Sequence, residues 1–176
     1  MTMLDENRAI AQLAAKAKVG AGDISCMAIW GNHSTTMYPD FENAKIKGQP
    51  VTSVITDRAW LEKDFIKTVQ DRGAAIIKAR GKSSAASAAS ACIDHIKRLR
   101  EKTPANTWFS AAVPSDGELY GIPKGLIFSF PVRADGNGGY EIVRDLKLSD
   151  FAKAKIRATT DELLGEREIV KDLLTK

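Results

Sequence analysis

Three side chains near the beginning of the chain have the chemistry to bind a carboxylate and move a proton. Asp5 and Arg8 stand three positions apart in residues 4–9 (LDENRA), and His33 stands in residues 30–34 (WGNHS). In a helix this spacing places Asp5 and Arg8 on one face. Histidine side chains ordinarily titrate near pH ~6.5 and can accept and return a proton, while the planar guanidinium of arginine pairs with carboxylates. If this helix face meets the loop that carries His33, Asp5 can bind one ring nitrogen of His33 and leave the other for a ligand.

Two elements must position these groups. Residues 3–18 carry apolar side chains at helical spacing and predict the helix that holds Asp5 and Arg8, whereas the apolar run 24–30 predicts a strand that ends beside His33. Simpler interpretations also exist. Asp5 and Arg8 can pair with each other on a solvated helix face, and His33 can be a structural hydrogen-bonding group. Residue types and spacing leave these alternatives open.

The remaining pattern predicts an α+β domain in which an antiparallel sheet is packed by several long helices. The glycine-rich residues 134–139 predict a hairpin between two strands. Further strands are predicted around residues 45–47 and at 108–113, 126–132 and 140–143. Helices are predicted at 58–78 with a kink or break at Gly73, at 83–102 with a serine cap, and at 149–175. The apolar stripe expected to pack the last helix on the sheet comprises Phe151, Ile156, Leu163, Val170 and Leu174.

The composition is that of an ordinary globular protein with one core. The chain has 176 residues, of which 44% are hydrophobic and 27% charged, with a net charge of +4. No apolar stretch approaches the ~20 residues of a membrane helix, and no secretory leader is recognisable, so we expect a cytoplasmic protein without a membrane partner. Basic clusters at 78–82 and 97–100 lack interleaved aromatic residues, so nucleic acid is not an expected partner. Cys26 and Cys92 lack metal-ligand or redox spacing; we expect reduced, partly buried thiols and no metal site.

The two runs that hold the acid, the arginine and the histidine resemble the lactate/malate dehydrogenase family, in particular its cytosolic-type malate dehydrogenase branch. The resemblance continues in order along nearly the whole chain, which is identified over residues 1–176 as a C-terminal substrate-binding and catalytic domain of that family. The further matching stretches are 36–40 (TMYPD), 72–80 (RGAAIIKAR), 83–89 (SSAASAA), 114–117 (PSDG), 120–123 (YGIP) and 128–132 (FSFPV).

The resemblance implies an NAD-dependent enzyme that interconverts malate and oxaloacetate, a small dicarboxylate pair. On the matching positions it implies that His33 is the general acid/base, that Asp5 orients the imidazole, and that Arg8 binds a substrate carboxylate. One serine of the pair at 83–84, assigned to Ser84, matches a residue that lines the substrate pocket in the family.

The chain departs from the family because the nucleotide-binding half is missing. No Gly-x-Gly-x-x-Gly run follows a strand and opens a helix, and the nearest match at residues 20–22 (GAG) lies between a helix and a strand instead. Residues 81–83 (GKS) lack the glycine that a phosphate loop needs five positions earlier, where Ile76 stands. No NAD-binding residues are therefore assigned, and the polypeptide alone is expected to be inactive.

Other functions remain open. The chain could be a non-catalytic oligomerisation or binding module derived from the family, or a lactate-type 2-hydroxyacid enzyme, because the residues that decide between substrates belong to the missing half. The resemblance also implies a homodimer, for which the predicted helices at 58–79 and 83–102 are candidate contact elements.

Overall fold

The computed structural model describes residues 2–174. Its helices are α1 (Thr2–Ala17), α2 (Val51–Val54), α3 (Ile66–Arg80), α4 (Ala86–Arg100), α5 (Asp150–Ile169) and α6 (Lys171–Leu174). Its strands are β1 (Ile24–Ser25), β2 (Ala28–Trp30), β3 (Tyr38–Asp40), β4 (Lys45–Ile46), β5 (Gln49–Pro50), β6 (Phe109–Pro114), β7 (Ile127–Ala134) and β8 (Tyr140–Ile142). A 3₁₀ turn at Ala21–Asp23 precedes β1, and a π-helical segment at Trp60–Phe65 leads into α3. None of these helices is both long and apolar enough to cross a membrane.

Within the described residues the strands form three antiparallel groups, β1–β4–β5, β2–β3 and β6–β7–β8. An antiparallel bridge between Gly31 and Ser129 joins the β2–β3 ribbon to β7. The hairpin predicted at residues 134–139 is confirmed, since β7 and β8 pair from Val132–Ile142 to Ala134–Tyr140. The predicted α+β class, with antiparallel strands covered by long helices, is likewise confirmed.

α1 is the helix around which the other elements are arranged. It packs against α3, α4, β2 and β6, and its side chains Ala9 and Leu13 are fully buried. From the sheet side, Trp30 of β2 and both Phe128 and Phe130 of β7 are also fully buried. The helix and the strand that flank the candidate site are therefore both anchored in the core.

The prediction of one continuous strand over residues 24–30 is wrong. Cys26 has a φ angle of 59°, in the left-handed region, and this conformation interrupts the extended run. As a result β1 pairs with β4, whereas β2 pairs with β3. The Cys26 thiol is buried and donates to the carbonyl oxygen of Asn106 at 3.3 Å. Cys92, expected to be partly buried, is exposed.

The helices differ from prediction in three places. α3 continues through Gly73 without a break, and the irregularity lies earlier, in the π-helical segment. α4 begins at Ala86 with Ala85 at the N-cap, so it has no serine cap. This is because residues 83 and 84 belong to the segment before the helix.

The closing helix is shorter than predicted. α5 ends at Ile169, the short helix α6 follows, and the predicted end at residue 175 lies outside the described residues. Phe151, Ile156 and Leu163 pack against the core, but Val170 and Leu174 are 40% and 63% exposed. The sheet-facing stripe therefore covers only the first part of the predicted helix.

Candidate active site

His33, Asp5 and Arg8 lie together near the N-terminus of α1. Oδ2 of Asp5 lies 2.6 Å from Nδ1 of His33, and Oδ1 of Asp5 accepts a hydrogen bond from Nη1 of Arg8 at 3.1 Å. The Asp5 side chain is fully buried, whereas 48% of the His33 side chain is exposed. One carboxylate thus joins the imidazole to the guanidinium and fixes the orientation of the ring. Among residues 2–174, Asp5 is the one hydrogen-bond partner of the His33 side chain, so the second ring nitrogen is open to a ligand.

Arg8 borders a cavity of about 350 Å³ between α1, α3 and α4. A second guanidinium, from Arg72, and the hydroxyl-bearing residues Ser87 and Ser90 also line this cavity. The lining therefore offers cationic and hydroxyl donors of the kind that bind a carboxylate. The complete set of lining residues is Leu4, Asn7, Arg8, Ala11, Gln12, Arg72, Ile76, Ser87 and Ser90.

Ser84 is not brought into this group. It is half-buried in the segment before α4, does not line the cavity, and makes no hydrogen bond with His33, Asp5 or Arg8. The serines that reach the cavity are one and two helical turns further along the same serine-rich run. The three-residue spacing of Ser87 and Ser90 indicates that they share one face of the helix, but such spacing is equally typical of an exposed helix face.

The buried carboxylate of Asp40 fixes β2 and β3, the two strands on either side of the loop that carries His33 (residues 31–37). It accepts hydrogen bonds from the indole nitrogen of Trp30 at 3.2 Å, from the amide side chain of Asn43 at 2.8 Å, and from the backbone of Glu42 at 3.0 Å. Burial raises the pKa of the Asp40 carboxyl, and these hydrogen bonds act in the opposite direction. Because Trp30 pairs with Tyr38 at the base of the loop, the loop is closed at both ends.

The same loop is bound to α5. Gly31 has a φ angle of +92°, and a Cβ atom there would lie 2.1 Å from Cγ2 of Thr159. Oγ1 of Thr159 accepts a hydrogen bond from the backbone of Asn32 at 2.9 Å. Glu162 and Glu166 accept further hydrogen bonds from the Asn32 side chain, at 3.1 and 2.8 Å. Sequence reasoning missed these α5 residues, because polar groups at this spacing are also typical of a solvated helix face.

The comparison with known families agrees with this fold. The family model for the lactate/malate dehydrogenase α/β C-terminal domain matches residues 2–173. The chain therefore belongs to the lactate/malate dehydrogenase family and corresponds to its C-terminal domain. Malate dehydrogenase of Protochlamydia amoebophila is 56% identical over 174 residues, and that of Magnetococcus marinus is 53% identical over 174 residues.

Solved structures show the same relationship. Malate dehydrogenase of Naegleria fowleri superposes with a TM-score of 0.90 at 48% identity, over 98% of this chain and 53% of that one. Trichomonas vaginalis lactate dehydrogenase, in complex with NADH and oxamate, superposes with a TM-score of 0.91 at 34% identity, over 98% and 53%. Each curated relative is matched over 99% of this chain but 53% of its own length. The chain thus spans about half the length of the proteins that it resembles.

Proposed function

We propose that this chain is the substrate-binding and catalytic domain of an NAD-dependent malate dehydrogenase, active when joined to a nucleotide-binding half. The observation that carries the proposal is the fully buried Asp5 carboxylate, which binds His33 through one oxygen and Arg8 through the other. The two curated relatives, both more than half identical, are named malate dehydrogenase, which supports the choice of substrate.

In this proposal the chain's residues bind the substrate and move its proton. Arg8 binds a carboxylate of malate with paired hydrogen bonds, which orients the carbon that bears the hydroxyl. The open ring nitrogen of His33 takes the hydroxyl proton as the carbon–hydrogen bond breaks, and oxaloacetate forms. Asp5 keeps the ring in the tautomer that this step needs and stabilises the imidazolium afterwards. Ser84 does not line the cavity beside Arg8, so its role beside the substrate stays a prediction from the resemblance and has no part in these steps.

NAD, when bound, supplies the acceptor for the hydride that leaves malate. The donor set of this chain fits the substrate side of such a reaction, because His33 presents an open ring nitrogen. Within residues 2–174 no glycine-rich turn leads from a strand into a helix, which is the element that binds a dinucleotide pyrophosphate. We therefore propose that residues outside this chain provide most of the cofactor contacts.

The test joins this chain to the part of the Protochlamydia amoebophila enzyme that precedes the matched region. The fusion should oxidise NADH when oxaloacetate is added, and His33→Gln should lower kcat by about 10²–10⁴-fold or more while NADH binding is retained. The matched control is His95→Gln, the other histidine of the chain, which lies in α4 against Phe109. A His33→Gln fusion with near-normal turnover would refute the proton-transfer role.

The same fusion separates the alternatives. A binding or oligomerisation module would leave it without NADH oxidation despite normal folding. A lactate-type enzyme would give a higher kcat/KM with pyruvate than with oxaloacetate.

We further propose a homodimer in the cytoplasm, with α3 and α4 as candidate contact elements. Light scattering of the fusion should then give the mass of two chains. Charged substitutions at the exposed Ile77 and Ile93 should reduce the measured mass to that of one chain.

A further inference from the structure

The carboxylate of Glu162, in α5, accepts hydrogen bonds from side chains that come just before and just after His33 in the sequence. Its Oε2 atom accepts from Oγ of Ser34 at 2.5 Å, from Oγ1 of Thr36 at 2.6 Å and from Nδ2 of Asn32 at 3.1 Å. These donors precede and follow the histidine, so side chains on both sides of it are bound to a single oxygen atom.

The two hydroxyls also organise the turn of the loop. Oγ of Ser34 lies 2.9 Å from Oγ1 of Thr36 and accepts the backbone N–H of Thr36 at 3.0 Å. The N–H of Met37 in turn donates to the carbonyl oxygen of Ser34 at 3.3 Å. Because hydroxyl groups can rotate toward water or toward the backbone, an external acceptor is needed to select one arrangement. Glu162 is that acceptor.

Electrostatics strengthens this contact. Partial burial acts to raise the pKa of the Glu162 carboxyl, but the hydrogen bonds from Ser34, Thr36 and Asn32 bring the pKa below its usual value. The group is therefore ionised at neutral pH. Within residues 2–174 its side-chain partners are all loop residues, with no lysine or arginine among them. Hydrogen bonds to a charged acceptor are roughly twice as strong as neutral ones, so the charge serves to hold the loop.

His33 depends on this contact because, in the described part of the chain, its own side chain has Asp5 as its single hydrogen-bond partner. The bond to Asp5 is 2.6 Å long and connects the loop to a different helix, α1. A loop that moved by ~1 Å would lengthen this bond and displace the open ring nitrogen, and such displacements typically cost ~10²-fold in rate.

We propose that Glu162 is a positioning residue for His33, and that it acts by holding the loop on α5 so that the imidazole stays aligned with both Asp5 and the substrate. The inference rests on the proposed malate dehydrogenase function, because the rate effect passes through His33. Nothing in it requires Glu162 to touch substrate or cofactor.

The first test uses the fusion described above. Glu162→Gln keeps the size of the side chain but removes the charge, and it should lower kcat by about 10- to 100-fold. The KM for oxaloacetate should change by less than about 3-fold, because Arg8 lies on α1 and has no contact with Glu162. The matched control is Glu168→Gln, an exposed residue of the same helix. A kcat within twofold of the parent, or an equal loss in the control, would overturn the proposal.

A double-mutant cycle separates positioning from a general loss of stability. Ser34→Ala removes one of the hydroxyl donors, so its effect on kcat should largely disappear in a Glu162→Ala background, which has no acceptor for that hydroxyl. Losses that multiply in the double mutant would show that the two residues act independently, and the proposal would then be wrong.

The second test needs no activity and uses the 176-residue chain itself. Glu162→Gln should accelerate amide hydrogen exchange at Thr36 and Met37 by about 10-fold or more, while exchange in α1 stays unchanged. Unchanged exchange at these amides would overturn the inference. An inactive parent fusion would instead contradict the proposed function, and the exchange result would still decide whether Glu162 holds the loop.

Discussion

The residue next to Asp5 gives the stability of this chain a measurable dependence on pH. Glu6 is buried at 3% exposure, and one of its carboxyl oxygens accepts the backbone N–H of Ser110 at 2.6 Å. Burial raises the pKa of Glu6 from 4.5 to about 7, against the lowering effect of the hydrogen bonds from Ser110 and the charge of Arg98. Glu6 thus holds a proton in the folded chain at pH values where the unfolded chain has already lost it.

The sign of the effect follows from this difference. Between pH 4.5 and about 7 the folded state binds more protons than the unfolded state, so the free energy of unfolding decreases as the pH rises through this window. At about 1.36 kcal/mol per pH unit, the raised pKa corresponds to about 3 kcal/mol. Glu6→Gln retains an acceptor for Ser110 but cannot ionise. We therefore expect it to match the parent chain near pH 4.5 and to be about 3 kcal/mol more stable at pH 8.

Urea unfolding of the 176-residue chain at several pH values between 4.5 and 8 measures this difference directly. Glu101→Gln is the matched control, because Glu101 is exposed and the substitution makes the same change in formal charge. A stability difference between Glu6→Gln and the parent that stays constant across the pH range would refute the reasoning. An equal slope change in the Glu101→Gln control would refute it as well.

Two further predictions concern the loop and the guanidinium. Gly31→Ala should destabilise the chain by about 3 kcal/mol or more, because φ is +92° and the new Cβ would meet Thr159 at 2.1 Å. Thermal unfolding checks this against Gly22→Ala, where nothing lies within 4 Å, and equal melting temperatures for the two variants would contradict it. Arg8→Lys in the fusion should raise the KM for oxaloacetate and lower kcat together, since an ammonium cannot form the paired hydrogen bonds. Steady-state kinetics with an unchanged KM would count against a carboxylate-binding role.

The sequence pattern correctly predicted α1 and the β7–β8 hairpin, whose formation depends on residues close together in the chain. The apolar spacing of residues 3–18 places Asp5 and Arg8 on one face of a real helix, α1. The glycines of residues 134–139 form the predicted hairpin, because Gly136 and Gly138 both have positive φ angles, at 86° and 97°. In these cases local residue types favour the observed conformation, since glycine adopts positive φ angles without steric cost, and no distant contact is required.

The features that the sequence did not predict depend on tertiary contacts. Cys26 has a left-handed conformation that its residue type does not favour, so the break in residues 24–30 has no local signal. The contact of Glu162 with Ser34 joins residues 128 positions apart, and a glutamate on a polar helix face gives no indication of such a partner. The meeting of Asp5 with His33 was likewise conditional on how α1 packs. The sequence pattern identified the two side chains as candidates, whereas the packing of the core determines the 2.6 Å distance between them.

The pairing of Trp30 with Tyr38 and their common contact with Asp40 limit how this region can vary in length. Side chains alternate between the two faces of a strand, so one residue inserted between Tyr38 and Asp40 would turn these two side chains to opposite faces. An insertion absorbed by the loop would shift its hydroxyls away from Glu162. Homologous chains that keep this architecture should accordingly keep the seven positions from residue 31 to residue 37.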